Sequence, residues 1–174
     1  MARNIEIKAR VDDIDALLAR TVTVAGAAPE LIEQDDTFFR VASGRLKLRR
    51  LAGGSAELIQ YERPDAAAAK ASDYVRVPVA DADALHAALE RACGVLGRVR
   101  KRRWLVLVGQ TRVHLDRVDG LGTFMELEVV LRAGQSDAEG VAIAEALMQA
   151  LGLAGAERIA GAYPDLLAVR LPAG

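Results

Sequence analysis

The stretch HLDRVDGLGTFMELE, residues 114–128, alternates charged and apolar side chains on both sides of a glycine-rich turn. Successive side chains of a β-strand point to opposite faces, so each half predicts a strand with one charged and one apolar face. The GLG at 120–122 favours a hairpin turn, because no third glycine follows as a dinucleotide-binding motif requires. The charged positions are His114, Asp116, Glu126 and Glu128.

The same alternation recurs in NIEIKAR (4–10), in RLKLRRL (45–51) and in the segment 97–108. One such strand is typical of a solvated sheet face, but five together favour charges that line an interior. If the apolar faces of a curved sheet pack against helices, the charged faces enclose a tunnel, which needs paired charges, water or a ligand of opposite sign. The further charged positions are Glu6, Lys8, Arg10, Arg45, Lys47, Arg49, Lys101, Arg103 and Arg112.

The composition narrows the class of protein. With 174 residues, 52% of them hydrophobic, the chain can bury a sizeable core, and we expect a single domain over residues 1–174. The 23 basic and 24 acidic residues nearly cancel, which argues against a nucleic-acid-binding surface. Cys93 is the only cysteine, and neither a signal peptide nor a membrane span is evident. We therefore expect a cytoplasmic protein without nucleic-acid or membrane partners.

The order of the predicted elements repeats once along the chain. Two related halves of this kind predict an α+β architecture in which an antiparallel sheet closes and helices pack outside it. Residues 64–72 connect the halves as a plain linker or a lid, and both interpretations stay open. The predicted strands are 4–10, 36–41, 45–51, 57–63, 73–79, 97–108, 111–118 and 123–131, and the predicted helices are 12–20, 82–93, 136–153 and 164–170.

Three of these stretches carry a resemblance to a known family. NIEIKAR, GRLKLRR (44–50) and the stretch 114–128 together resemble the CYTH superfamily, also called triphosphate tunnel metalloenzymes. Within it the chain is most similar to the class IV adenylyl cyclase branch, to which thiamine triphosphatases are related. The most distinctive element is the pattern hydrophobic-Asp-x-Val-x-x-Leu-Gly-x-Phe-x-Glu-hydrophobic-Glu at 115–128. The resemblance extends from Asn4 to the closing AYPDLL (162–167).

This resemblance implies a closed eight-stranded antiparallel β-barrel whose interior binds a small-molecule triphosphate together with Mg²⁺ or Mn²⁺. The implied catalytic residues are Glu6, Lys8, Glu126 and Glu128. The implied metal ligands are Glu6, Asp116, Glu126 and Glu128. The implied triphosphate-binding residues are Lys8, Arg10, Arg45, Lys47, Arg49, Lys101, Arg103, Arg112 and His114. The resemblance is also compatible with a homodimer, which the residues themselves do not demand.

The chain departs from the family at two positions, and these leave the reaction open. Asn4 stands where the family signature has its first glutamate, and Arg76 stands where triphosphatase relatives have an acidic residue. The leading hypothesis is a class IV adenylyl cyclase type that converts ATP to cyclic AMP and pyrophosphate. The alternatives are a triphosphatase acting on tripolyphosphate or thiamine triphosphate, and a non-catalytic binder of nucleotide or polyphosphate.

Several side chains allow a structural and a functional interpretation at this point. His114 is either a polar neighbour of the site or an acid or base that contacts substrate. Tyr61 and Tyr74 either pack within the sheet or flank an organic group at the tunnel mouth. The aromatic residues expected in the core are Phe38, Phe39 and Trp104.

Overall fold

The computed structural model describes residues 2–62 and 69–170 of the chain. Within those ranges a strand, a helix and three strands occur twice in succession, and two further helices follow. The elements are β1 (Ala2–Arg10), α1 (Ile14–Ala25), β2 (Glu30–Phe39), β3 (Arg45–Leu51), β4 (Ala56–Glu62), β5 (Lys70–Val79), α2 (Ala82–Cys93), β6 (Val95–Val108), β7 (Thr111–Val118), β8 (Gly122–Val130), α3 (Asp137–Ala150) and α4 (Tyr163–Arg170).

The eight strands form a closed antiparallel barrel in the order β1-β5-β4-β3-β2-β6-β7-β8. β1 closes the ring, because it pairs with β5 on one side and with β8 on the other. The helices lie outside: α1 contacts β6 and β7, α2 contacts β2 and β3, α3 contacts β1 and β8, and α4 contacts β6. The predicted closed eight-stranded antiparallel barrel of two related halves, with helices outside, is confirmed.

The main hydrophobic core lies between the barrel wall and the helices, and not inside the barrel. Ile7, Leu115 and Leu127 point outward from their strands and are almost completely buried. Each such side chain contributes about 1.5–3 kcal/mol through burial. The opposite side chains of the same strands therefore point inward, as the alternation predicts. The helix residues of this core are Ile14, Leu17, Ala144, Leu147, Met148 and Leu151.

A second apolar cluster lies inside one end of the barrel. Phe38 and Phe124 are inward-facing residues of this cluster, and Tyr163 of α4 packs edge-on against the Phe124 ring with centroids 5.1 Å apart. This is the end at which β1 finishes, since Arg10 pairs with Phe124 across the sheet. The interior is therefore apolar at this end and polar further along. The other members of the cluster are Val99, Val118, Leu121 and Ile159.

Two predicted boundaries differ from the structure by about five residues or more. β2 begins at Glu30 instead of residue 36, because the polar segment 30–35 pairs along its whole length with β6 although it lacks a clear apolar alternation. α1 continues to Ala25 instead of residue 20. Thr21 and Thr23 are weak helix formers, but each hydroxyl donates to the carbonyl one turn earlier, and Gly26 with φ 63° ends the helix.

The linker or lid predicted at 64–72 falls largely outside the described residues, and only its last part, from Lys70, belongs to β5. The three aromatic residues predicted for the core differ in how far they are buried. Phe38 and Phe39 are buried, whereas Trp104 is half-buried at the edge of the main core.

Gly140 of α3 sets how closely this helix approaches β1. A Cβ at this position would lie 2.6 Å from Ile5 Cγ1 and 2.6 Å from Leu131 Cδ2. Overpacking of this kind costs about 1–3 kcal/mol, and the helix propensity of alanine offsets about 1 kcal/mol. Because both contacts are under 3 Å, where a neighbour must shift, the cost lies in the upper part of this range, and we expect Gly140→Ala to lower the free energy of unfolding in urea by about 1–2 kcal/mol.

Gly155→Ala is the matched control, because no described atom lies within 4 Å of the added Cβ. Its free energy of unfolding should stay within about 0.5 kcal/mol of the starting protein. A Gly140→Ala protein that is as stable as the starting protein would contradict the close approach of α3 to β1.

Candidate active site

All eight strands direct side chains into one interior cavity of about 250 Å³. Its walls carry most of the charged positions that the sequence placed on inward faces. α4 contributes Tyr163, and the preceding residue Ala162 lies beside it. The predicted site residues that line the cavity are Glu6, Lys8, Lys47, Arg49, Arg103, Arg112, His114, Glu126 and Glu128.

Three predicted triphosphate ligands, Arg10, Arg45 and Lys101, do not line this cavity in the described part of the chain. Arg10 lies over the Phe124 ring at 4.9 Å, and its Nε is 3.6 Å from a carboxylate oxygen of Glu157. Arg45 forms an ion pair with Asp165 of α4 at 2.9 Å. Both arginines have the expected strand parity, but they stand at the strand ends beside the internal apolar cluster.

Asp36 of β2 balances the two cations of β3. Its side chain is only 2% exposed, and the Arg49 guanidinium donates to both of its oxygens at 2.9 Å. Lys47 Nζ donates to Asp36 Oδ2, also at 2.9 Å. Burial alone raises the pKa of Asp36, but the charges of Arg49 and Lys47 outweigh it and hold the pKa well below its usual value. Asp36 is therefore ionised and neutralises part of the wall.

Asp116 of β7 has the same role two strands further around the barrel. Arg103 donates to both of its oxygens at 2.7 Å, Lys101 Nζ lies at 3.2 Å, and the Tyr163 hydroxyl donates at 2.8 Å. Burial raises the pKa of Asp116, yet Arg103 and Lys101 hold it far below its usual value. Asp116 is fully buried and, like Lys101, does not line the cavity as the described residues define it. Both of its oxygens accept from cations, and its assignment as a metal ligand, which the resemblance implies, stays a prediction.

Two lysines of the interior, Lys47 and Lys101, change charge close to neutral pH. Burial lowers the pKa of Lys47 to about 8, with a further contribution from the neighbouring Arg49. Burial also lowers the pKa of Lys101 to about 7, and the charge of Arg103 adds to the effect. The Tyr163 ring lies 4.0 Å from Lys8 Nζ and 4.9 Å from Lys101 Nζ. An aromatic face stabilises an ammonium group and partly compensates for its lost hydration.

His114, Glu126 and Glu128 form a group that can hold a divalent cation. One potential ligand atom from each lies within 4.8 Å of the others. Arg103 Nη2 is 3.0 Å from Glu126 Oε2, and Arg112 Nη2 is 2.8 Å from Glu128 Oε2.

The His114 imidazole is uncharged at physiological pH and can therefore act as a metal ligand. Burial lowers the pKa of His114 to about 4, and the charge of Arg103 contributes. None of the described residues hydrogen-bonds the buried His114 Nδ1. Two carboxylates and a neutral ring nitrogen without a partner fit the ligand preferences of a divalent metal ion.

Glu6 lies on β1, next to the strand β8 that carries Glu126 and Glu128. It pairs with Glu128 in the register of β1 and β8 but is not part of the three-residue group among the described side chains. Asn4, oriented to satisfy its neighbours, donates its amide nitrogen to Glu6 Oε1 at 3.2 Å and to the Ser72 carbonyl at 3.3 Å. The amide that replaces the family glutamate therefore orients Glu6.

One side of the cavity is apolar. Ile32, Leu51 and Leu105 line it from the three neighbouring strands β2, β3 and β6. Tyr61 and Tyr74 also line the cavity, and Arg112 Nη2 lies 3.5 Å from the Tyr74 hydroxyl. The cavity thus offers cations, carboxylates and a surface for an organic group.

Sequence reasoning missed two side chains that contact the predicted cations, Asp36 and Tyr163. A signal for Asp36 was present, because the predicted interior held more cations than carboxylates and Asp36 shares the inward parity of Phe38. Tyr163 lies just before the predicted helix 164–170. Nothing in the local pattern brings it to Asp116, from which it is 47 residues distant.

A profile of the CYTH domain matches residues 2–163 of the chain. The chain belongs to the CYTH domain family. A search of curated protein sequences gives no match. None of the described helices combines the length and hydrophobicity that crossing a bilayer requires.

Solved structures with the same fold include several relatives of this CYTH protein. The PH1012 protein from Pyrococcus horikoshii OT3 is 26% identical, with a TM-score of 0.82, and the match covers 94% of this chain and 98% of that one. A proposed adenylate cyclase from Vibrio parahaemolyticus is 24% identical over 95% and 97% of the chains, with a TM-score of 0.77. A Hippeastrum protein, proposed as an adenylyl cyclase and described as having a dominant triphosphatase activity, is 16% identical over 97% and 98%, with a TM-score of 0.69.

Asp36→Asn should leave the β3 cations of this CYTH protein without a balancing charge. Removing one partner of a buried ion pair costs about 3–5 kcal/mol, so the free energy of unfolding should fall by about that amount. Added tripolyphosphate should raise the melting temperature more in the variant than in the starting protein, because an anion replaces the lost carboxylate. Thermal and urea unfolding with and without tripolyphosphate measure both effects.

Asp35→Asn is the control for this substitution. Asp35 precedes Asp36 but pairs with the exposed Arg98 and Arg100 on the outside of the barrel. Exposed pairs contribute about 0–1 kcal/mol. Equal destabilisation by the two substitutions would show that Asp36 does not balance buried charge.

Anion binding should take up protons in mildly alkaline solution. At about pH 8.5 Lys101 and part of the Lys47 population are neutral, since their pKa values are about 7 and about 8. A bound polyanion favours the charged ammonium and raises both pKa values, so affinity for tripolyphosphate should fall as pH rises through this range. Calorimetry in two buffers of different ionisation enthalpy measures the proton uptake.

Lys47→Arg is the matched variant, because arginine keeps its charge throughout this range. It should take up fewer protons on binding tripolyphosphate. Identical binding heats in the two buffers for the unmodified protein would refute the proton linkage.

Proposed function

We propose that this CYTH protein is a divalent-metal-dependent enzyme of the class IV adenylyl cyclase type, which converts ATP to cyclic AMP and pyrophosphate. The observation that carries the proposal is a single cavity in which buried cations face a group of two carboxylates and a histidine. The cations suit the phosphate oxygens of ATP, and the group of two carboxylates and a histidine would suit a divalent metal ion.

The triphosphate binds by exchanging partners with the carboxylates of the wall. Arg112 contacts Glu128 and Arg103 contacts Glu126 in the ligand-free protein. Phosphate oxygens replace these carboxylates as acceptors, and each charge-assisted hydrogen bond contributes about 1.5–3 kcal/mol. Lys8, Lys47 and Arg49 complete the cationic wall. The exchange releases oxygens of Glu126 and Glu128, so anion and metal binding support each other.

The residues that would hold the divalent cation are Glu126 and Glu128, with His114 beside them. When bound, the cation neutralises developing charge on the phosphate oxygens and helps to orient the reacting group. Phosphoryl transfer depends mainly on positioning and charge neutralisation, and not on a covalent nucleophile of the protein.

The nucleophile in this proposal is the ribose O3′ of ATP, which attacks the α-phosphorus as pyrophosphate leaves. Glu6 accepts the proton of O3′, because it lines the cavity and Asn4 orients its carboxylate. Ile32, Leu51 and Leu105 provide apolar contacts for the adenine base. These contacts favour an organic triphosphate over tripolyphosphate.

A second candidate function is triphosphate hydrolysis, in which water attacks the terminal phosphorus. It needs the same cationic wall, and the Hippeastrum protein of the same fold is described as having a dominant triphosphatase activity. Tripolyphosphate and thiamine triphosphate are the substrates to compare with ATP. A non-catalytic binder is the remaining alternative, since Asn4 removes one carboxylate of the family signature.

Parallel assays with ATP, tripolyphosphate and thiamine triphosphate, each with Mn²⁺ or Mg²⁺, test the proposal. We expect equal amounts of cyclic AMP and pyrophosphate from ATP. Inorganic phosphate without cyclic AMP would overturn the cyclase assignment in favour of a triphosphatase. Binding without any product would overturn the enzyme assignment.

Replacing Glu126 or Glu128 by glutamine should reduce turnover by about 100-fold or more, because each supplies charge at the reacting phosphate. Anion binding without metal should be retained or strengthened. Glu33→Gln is the control, since Glu33 pairs with Arg102 on the outer surface. Equal activity of the Glu128→Gln and Glu33→Gln proteins would remove Glu128 from the mechanism.

A further inference from the structure

We propose that the divalent cation of this protein is bound through a nitrogen ligand, the imidazole of His114, together with Glu126 and Glu128. The site should consequently favour Mn²⁺ or Co²⁺ over Mg²⁺. This inference deepens the proposed function, on which it rests for the presence of a metal ion, but it concerns the ligands and not the reaction.

The backbone register brings the three side chains together. His114 of β7 is the direct partner of Glu126 on β8, and Glu128 follows two residues later on the same face. All three ligand atoms lie within 4.8 Å of one another. Ligands on opposite sides of one ion are separated by about twice the metal–ligand distance, or roughly 4–5 Å. A single ion can therefore contact all three after small side-chain adjustments.

The buried Nδ1 of His114 is a reason to expect a bound ligand. The residue is 5% exposed and lines the cavity, and no described group hydrogen-bonds Nδ1. Glu128 Oε1 lies 3.6 Å from Nδ1, which is too far for a hydrogen bond. A buried polar atom without a partner is unfavourable, so selection against it is expected unless a ligand completes it.

The other acidic candidates are less suited to the same ion. Asp116 accepts from Arg103, Lys101 and Tyr163 and does not line the cavity. Glu6 stands outside the three-residue group and accepts from Asn4. His114 thus supplies a third ligand in a chain whose position 4 carries an amide instead of a carboxylate.

A nitrogen ligand changes which metal the site prefers. Imidazole suits Mn²⁺, Co²⁺ and Zn²⁺, whereas Mg²⁺ prefers oxygen ligands in a strict octahedral geometry and retains water. An all-carboxylate site would discriminate less against Mg²⁺. The metal preference is therefore an observable consequence of His114.

Pulsed electron paramagnetic resonance of tag-free protein loaded with Mn²⁺ tests the inference without an activity assay. The chain has two histidines, so His86→Gln leaves His114 as the only imidazole. We expect ¹⁴N coupling from a bound imidazole in the starting protein and in His86→Gln, and its loss in His114→Gln. No such coupling in the starting protein, or its persistence in His114→Gln, would overturn the inference.

Calorimetry with Mn²⁺ and Mg²⁺ in the absence of substrate gives a second readout. His114→Gln should weaken Mn²⁺ binding by about tenfold or more, which corresponds to about 1.4 kcal/mol, and should affect Mg²⁺ less. His114→Asp, which replaces the nitrogen ligand by an oxygen ligand, should shift the preference toward Mg²⁺. An unchanged ratio of Mn²⁺ to Mg²⁺ affinity in both variants would overturn the inference.

Metal-free tripolyphosphate binding checks that each variant is folded. The two proposals fail separately. Imidazole coupling without any product refutes the enzyme but supports the nitrogen ligand. Product formation at a site without imidazole coupling refutes the nitrogen ligand but supports the enzyme.

Discussion

Cations buried inside a barrel need anions beside them, and the interior of this protein is organised by that requirement. Asp36 on β2 and Asp116 on β7 lie on strands separated only by β6, and each accepts from an arginine and a lysine. Removing ions from water costs several kcal/mol each, so neither cation pair is sustainable without its carboxylate. The carboxylates of the wall therefore neutralise the interior cations, and in the proposed function a phosphate chain would take over some of their hydrogen bonds.

Much of the fold follows from local sequence patterns. The predicted bounds of β3, β7 and α2 agree with the structure because strict alternation marks the two strands, while Asp81 and Gly94 cap the helix. The first half of β2 escaped prediction, since its pairing with β6 is set by tertiary structure and not by a local alternation. The repeated order of elements predicted that an antiparallel sheet closes, whereas the eight-stranded barrel came from resemblance to a family.

The sequence predicted which side chains of the site point into the barrel, but not the position of each side chain along the barrel axis. Alternation tells which side chains point inward, and Lys47, Arg103 and Glu128 do so. It does not tell how far along the barrel each lies, which is why Arg10 and Arg45 were assigned to a site that they do not line. It also does not tell which strands become neighbours. The contact of Asp116 with Tyr163 depends on where α4 packs, and no local rule contains that information.

The place of β1 between β5 and β8 has a consequence for how the protein is made. Its register with β8 joins Glu6 to Glu128, about 120 residues later in the chain. Contacts of such long sequence separation form slowly, and during synthesis this one must wait until β8 has left the ribosome. The nascent half-barrel remains an open, curved sheet whose charged face is hydrated. Lys8 of β1 consequently meets its counter-ion Glu126 of β8 only when the ring closes.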